Sequence, residues 1–314
     1  MKKKSVIIDC DPGQDDAIAI LLALASGEEI DLLGITTVAG NVPLALTESN
    51  ARRICELAKR TDVKVYAGAS RPLMRKLVTA EWIHGKSGLD GANLPDPTMP
   101  LQDQHAVDFI IDTCLAADDK SITICPIGPM TNVALAFMKE PAVIPKIAQI
   151  VCMGGAVKEY GNTTPAAEFN IYEDPQAAKI VLDAGIDFVM MPLDVTHKAL
   201  VTVDRLKRLK DLNSPVGDVC DGMLDYFNRF DMTKYGFEGG PLHDPCTIAY
   251  LIDPTLFSGR KVHLDIEVIS ELTMGKTVAD WWNVNDKEPN AFVCNDLNVE
   301  GFFDLLTERL GRLR

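Results

Sequence analysis

Val6-Ile7-Ile8-Asp9-Cys10-Asp11-Pro12-Gly13-Gln14-Asp15-Asp16-Ala17 decides the fold. An apolar run enters it and another, Ala17 to Ala25, leaves it, with four carboxylates between them. Val6 to Ile8 reads as a buried strand, and Ala17 to Ala25, with Ile18, Leu21, Leu22 and Ala25 on one stripe, reads as a helix. The acids therefore lie on a strand-to-helix turn, which Pro12 and Gly13 suit and where Asp15 or Asp16 suits the helix start. In open α/β sheets ligands bind at such carboxyl ends of strands. Like charges this close repel unless water screens them or a cation neutralises them, and an all-oxygen cluster suits Ca²⁺ or Mg²⁺ better than zinc. An EF-hand loop is excluded by spacing: counted from Asp9, Gly13 is fifth and Ile20 twelfth, where that loop needs Gly sixth and Glu twelfth. An aspartyl phosphatase also starts with a strand and Asp-x-Asp. It leaves the pair Asp15-Asp16 unexplained and stays a rival.

Outward from this turn, Leu32 to Val38 reads as a strand ending near Asn41, Leu44 to Arg60 as a helix and Val63 to Tyr66 as a third strand. The alternation continues through helix 105–117, strand 122–126, helix 130–138, strand 147–153, helix 176–184 and strand 188–191. It predicts one open, mostly parallel α/β sheet with flanking helices over residues 1–314 as a single domain. Segments 202–212 and 216–230 read as two helices that break the alternation and form a small cap. Residues 261–269 and 291–294 read as late strands, and 299–313 as a closing amphipathic helix. Ala67 to Gln104, rich in Gly and Pro and carrying Trp82 and His84, reads as a lid.

With 31 basic and 45 acidic residues the net charge is -14, which disfavours nucleic acid and anionic membrane as partners and favours a small neutral or cationic ligand. Eight scattered cysteines without a C-x-x-C pair read as reduced buried thiols of a cytoplasmic protein. No apolar run reaches the ~20 residues of a membrane span.

Candidate ligand-binding residues recur at later strand ends and loops: Asn41, Met153-Gly154-Gly155, Asn162, Glu168-Phe169-Asn170 and His243-Asp244. Asn162, Glu168 and Asn170 are groups a sugar hydroxyl needs, and His243 sets a proton carrier beside a metal-type carboxylate.

In this order, with the opening acid run, these motifs resemble the inosine-uridine nucleoside hydrolase family from residue 5 to residue 310. The resemblance implies Ca²⁺ held by Asp11, Asp16, Asp244 and the Ile127 carbonyl, with Asp11 also the general base. It implies that Asp15, Asn41, Asn162, Glu168 and Asn170 hold the ribose, that Met153 lies beside the sugar and that His243 approaches the base as a proton donor. It also implies a homodimer or homotetramer. Segments 83–91, 194–199 and 241–246 resemble the pyrimidine-preferring bacterial members, and His84 joins His243 as a residue able to reach the base. Some relatives carry an aromatic where this chain has Asp231; Phe230 and Tyr235 flank it and could supply stacking instead. A calcium-dependent ribose-binding protein without turnover is the rival outside enzymes.

Overall fold

The computed structural model describes residues 3–313, apart from the Asp231 side chain. The chain opens with β1 (Lys4–Cys10), α1 (Gln14–Ala25), β2 (Ile30–Thr37), α2 (Leu44–Leu57) and β3 (Val65–Ala67). After a short helix α3 (Glu81–His84) come α4 (Ala106–Leu115), β4 (Ile122–Pro126), α5 (Thr131–Lys139) and β5 (Ile147–Met153). Next are α6 (Phe169–Glu173), α7 (Pro175–Leu182), β6 (Phe188–Met191), α8 (Leu193–Thr196) and β7 (Leu200–Val201). The remainder comprises α9 (Val203–Lys210), α10 (Pro215–Tyr235), β8 (Gly240–Pro241), α11 (Pro245–Ile252), β9 (Phe257–Ile266), β10 (Thr277–Asp280), β11 (Ala291–Leu297) and α12 (Val299–Leu310).

One sheet has the order β10-β9-β11-β6-β5-β4-β1-β2-β3. From β3 to β11 every neighbouring pair is parallel, and β9 and β10 add antiparallel at one edge. From β1 the chain winds to β2 and β3 on one side, then crosses to β4 on the other. The carboxyl ends of β1 and β4 therefore flank the topological switch point, where a crevice opens because the two connections leave in opposite directions.

Alternation along β1 divides the core. Val6, Ile8 and Cys10 join a cluster under α1, α2, α11 and α12, while Ile7 joins another under α4, α5 and α7. Every residue of α1 is buried, which explains an apolar run with no polar face. Polar groups at its start are consequently carried into the interior.

The expected alternation holds. The late part is richer than expected, since β10 was not foreseen, β9 starts at Phe257, and α10 continues to Tyr235. The region 67–104 is mostly irregular, with the single helical turn α3 inside it.

Candidate active site

At the end of β1 the four acids part company. Asp9 accepts from Thr36 Oγ1 at 2.6 Å and Asn132 Nδ2 at 2.8 Å, fastening β1 to β2 and α5. Burial pushes its pKa up to about 7 against the lowering effect of those bonds. Asp11 accepts from the Asn41 backbone N–H at 2.7 Å through Oδ2, while its buried Oδ1 has no hydrogen-bond partner. Two glycines make room for this carboxylate. A Cβ on Gly40 would lie 2.1 Å from Asp11 Oδ2, and one on Gly128 2.3 Å from Oδ1. Asp16, in the first turn of α1, accepts from the backbone N–H groups of Gly13 at 3.0 Å and Asp11 at 3.1 Å, so it holds the turn as well as facing the site.

Asp244 arrives from the far end of the sequence, just before α11. Carboxylate oxygens of Asp15, Asp16 and Asp244 all lie within 4.8 Å of one another. Asp11 is not one of that triplet. Burial, then the charge of Asp16, raises Asp11 well above the ordinary range; burial, then Asp15 and Asp16, does the same to Asp244. Asp15 is pushed up to about 6 and Asp16 to about 8, in both cases chiefly by burial. The leading charges on Asp11, Asp16 and Asp244 are those of other carboxylates, not of a lysine or arginine. Asp15 Oδ1, like Asp11 Oδ1, is buried without a partner. Oxygen-only donors, unpartnered lone pairs and uncompensated negative charge fit a hard divalent cation. The Ile127 carbonyl, one residue past β4, accepts from Asn170 Nδ2 at 2.9 Å and retains a second lone pair.

A cavity opens beside the acids. One end is polar. Asn41 Nδ2 donates to the Asp11 carbonyl at 3.1 Å and to Asp16 Oδ2 at 3.2 Å, which ties its amide to the acid turn. Glu168 caps α6 and accepts from Gly155, Asn170 and Ile171 N–H groups at 2.9, 2.9 and 3.2 Å, and burial pushes it up to about 7. Gly155 has φ +89°, a left-handed turn that aims its N–H at Glu168. Asn162 Oδ1 accepts from Phe169 N–H at 3.0 Å, and Asn170 Nδ2 reaches the Met153 carbonyl at 3.3 Å.

The opposite end is aromatic. His84, the last residue of α3, stacks on Phe227 with centroids 5.6 Å apart and planes at 29°. Burial lowers its pKa to about 3 and keeps the ring neutral. Phe230 meets Tyr235 edge-on at 6.2 Å and Trp82 at 4.8 Å. His243 Nδ1 lies 2.8 Å from Thr196 Oγ1, and its ring is 5.9 Å from that of His197. Burial, then the neighbouring imidazoles of His197 and His84, lowers His243 well below the ordinary histidine value.

Asp15, Asn41, His84, Ile127, Met153, Asn162, Glu168, Asn170, Tyr235, His243 and Asp244 all line this cavity. Phe227 and His197 line it too and were not anticipated. For Phe227 the signal existed: it lies one helical turn before Phe230 on α10.

A buried acid cluster thus sits at the sheet switch point, beside a hollow that is polar at one end and aromatic at the other. The family model for inosine-uridine preferring nucleoside hydrolases matches residues 6–304, and the chain belongs to that family as a ribonucleoside hydrolase. It is 47% identical over 306 residues to the pyrimidine-specific ribonucleoside hydrolase RihA of Escherichia coli O81 (strain ED1a), covering 97% of each chain. It is 35% identical to the purine-preferring ribonucleoside hydrolase from Gardnerella vaginalis, whose solved structure superposes with a TM-score of 0.91 over 99% of both chains. The plant nucleoside hydrolase PpNRh1 is 32% identical, with a TM-score of 0.90 over 98% of this chain and 99% of that one.

Proposed function

We propose that this hydrolase prefers pyrimidine ribonucleosides, uridine and cytidine, and that it works with Ca²⁺ held by Asp11, Asp16, Asp244 and the Ile127 carbonyl. The unpartnered oxygens at the buried acid turn carry the metal reading. When bound, calcium supplies positive charge that makes a nearby water more acidic.

Cleavage of an N-glycosidic bond passes through a state with positive charge on the ribose. Asp11, whose Oδ1 is free, takes the proton of the attacking water. Asp15, Asn41, Asn162, Glu168 and Asn170 hold the ribose hydroxyls, and their carboxylates favour the developing positive charge. Met153 borders the sugar. Phe227, Phe230 and Tyr235 bracket the base, and Asp231 lies outside the described side chains. A neutral imidazole can still donate: a Thr196 hydroxyl turned toward His243 Nδ1 keeps the ring proton on Nε2, from which it can reach the departing base.

Pyrimidine preference is supported by the 47% identity to a protein named as pyrimidine-specific. A purine preference is the second reading, supported by the Gardnerella likeness. Measuring kcat/KM for uridine, cytidine, inosine and adenosine separates them, and inosine outperforming uridine by about tenfold or more overturns the first. A homodimer or homotetramer in a reducing, cytoplasmic setting completes the proposal, and eight free and buried cysteines support the reducing setting. No helix among the described residues is long and apolar enough to cross a membrane.

A further inference from the structure

Gln14, the first residue of α1, is wholly buried one position before Asp15. Its Nε2 donates to the backbone carbonyls of His84 at 3.0 Å and Asp90 at 3.1 Å. Its Oε1 lies 2.7 Å from His84 Nδ1. These contacts settle which end of the amide is which. Turned the other way, the amide oxygen would face two carbonyl oxygens with no proton between them. The atom opposite His84 is therefore oxygen, and an amide oxygen can only accept. The proton of the neutral ring must then sit on Nδ1. His84 Nε2, left with a bare lone pair, has no hydrogen-bond partner among the described residues and belongs to a ring lining the cavity. The ring is held in this orientation: a Cβ on Gly13 would lie 2.4 Å from Nδ1, and Phe227 stacks on it.

We propose that Gln14 is a positioning residue that fixes His84 as its Nδ1–H tautomer, so that His84 presents the nucleoside with a hydrogen-bond acceptor and selects substrates offering an N–H or O–H donor there. This deepens the ribonucleoside reading and rests on it. His84 is thereby a poor candidate for protonating the leaving base, which leaves that task to His243. The donor it receives belongs either to the base, an imide N–H or exocyclic amine, or to a ribose hydroxyl.

The segment carrying His84 has a second fastening that does not involve Gln14. Asn50 Nδ2 donates to the Pro12 carbonyl at 3.0 Å and to the Ser87 carbonyl at 2.8 Å. Gln14→Met, similar in length but without the amide, therefore tests the tautomer with the segment still tied down.

Long-range ¹H–¹⁵N spectra of protein labelled at histidine, with His84 assigned by its loss in His84→Phe, report which ring nitrogen carries the proton. Wild type is expected to show His84 protonated at Nδ1, and Gln14→Met to gain the Nε2–H form. Kinetics supply the second arm, comparing uridine with 3-methyluridine and with 5′-deoxyuridine. Wild type is expected to favour uridine over the analogue lacking the recognised donor by about tenfold, because an unmatched buried polar group is costly. Gln14→Met should shrink that ratio. Loss confined to 3-methyluridine assigns the donor to the base, and loss confined to 5′-deoxyuridine to the ribose. A wild-type spectrum with His84 protonated at Nε2, or ratios that Gln14→Met leaves unchanged for both analogues, overturns the proposal. Wild type that releases ribose from no nucleoside brings down the ribonucleoside reading instead, while the spectrum still decides the tautomer.

Discussion

Two groups of buried carboxylates, one at the acid turn and one at the α6–α7 junction, differ in what their oxygens touch. At the α6–α7 junction, Asp174 accepts from Leu73 N–H at 2.8 Å, Thr131 Oγ1 at 2.7 Å and Ala177 N–H at 3.1 Å. Glu173 accepts from Val78 N–H at 3.0 Å. At the acid turn, Asp11 and Asp15 each keep a buried oxygen with no partner, and neighbouring carboxylates press on Asp11. Residue type and burial are alike in the two places. What separates them is satisfaction: the first pair fastens the irregular segment 70–80 to the helices, whereas the second keeps buried oxygens that no described residue satisfies.

The sharpest way to break this comparison is Asp11→Asn, which keeps the shape and removes the base. Turnover of the preferred nucleoside is expected to fall by ~10²- to 10⁴-fold, with substrate binding changed far less. A variant that retains its metal and near-normal turnover would show the free oxygen to be incidental.

Chelation probes the same region without mutation. Exhaustive treatment should abolish ribose release and lower the thermal midpoint, with Ca²⁺ restoring both. Ligand at about 100 times its dissociation constant stabilises by ~2.7 kcal/mol, so the shift should be easily seen by calorimetry. Elemental analysis should find about one calcium per chain before treatment and little afterwards. Active protein that never contains metal contradicts the assignment.

Asp174→Ala tests the other group. Removing three donors' acceptor from a helix N-terminus should cost about 2–3 kcal/mol in denaturant unfolding, with a smaller loss of turnover per folded molecule than Asp11→Asn shows. If turnover fell as far as in Asp11→Asn, the division between fastening and reacting acids would fail.

The smallest effect is a pH dependence. Burial raises Glu173 from 4.5 to about 7, so the folded state disfavours its charge. The protonated form fits equally well in both states below its unfolded value, and the penalty develops as pH rises toward and past the folded one. Glu173→Gln should therefore gain stability over wild type between about pH 5 and pH 8, with the difference vanishing at the acid end. A flat difference in thermal midpoint over that range would show that the Val78 N–H already offsets the burial.

What could be read from the sequence followed the range of the interactions. The strand, acid turn and helix from Val6 to Ala25 are specified by neighbours in the chain, and they came out as expected. β10 was missed because its four residues carry an exposed Val278 and an indistinct alternation, and only pairing with β9 makes them a strand. α3 hides in a Gly- and Pro-rich stretch where one helical turn leaves no periodicity. Conversely, Asp244 and Glu168 were found through motifs, although contacts from distant parts of the fold bring them to the cavity. The grouping of Asp15, rather than Asp11, with Asp16 and Asp244 depends on where the folded chain brings their carboxylates, which spacing does not encode. Gln14 escaped notice for a similar reason, since its partners His84 and Asp90 are 70 and 76 residues away.

The buried cysteines give the sheet a built-in clock. Cys10 lies between Asp9 and Asp11, Cys125 two residues before Ile127, Cys152 one before Met153 and Cys246 two after Asp244, so four buried thiols neighbour site residues in the chain while Cys55 and Cys114 lie in α2 and α4. Burial, then the adjacent carboxylates, raises Cys10 well above its ordinary value, and burial alone leads in pushing Cys125 up to about 12. Only the thiolate alkylates, so a closed molecule should be nearly blind to iodoacetamide at neutral pH. Each residue then becomes labelled only when its own strand or helix opens. Peptide mass spectrometry of a labelling time course would thus date the opening of the acid turn separately from that of Cys55 in α2 and Cys114 in α4.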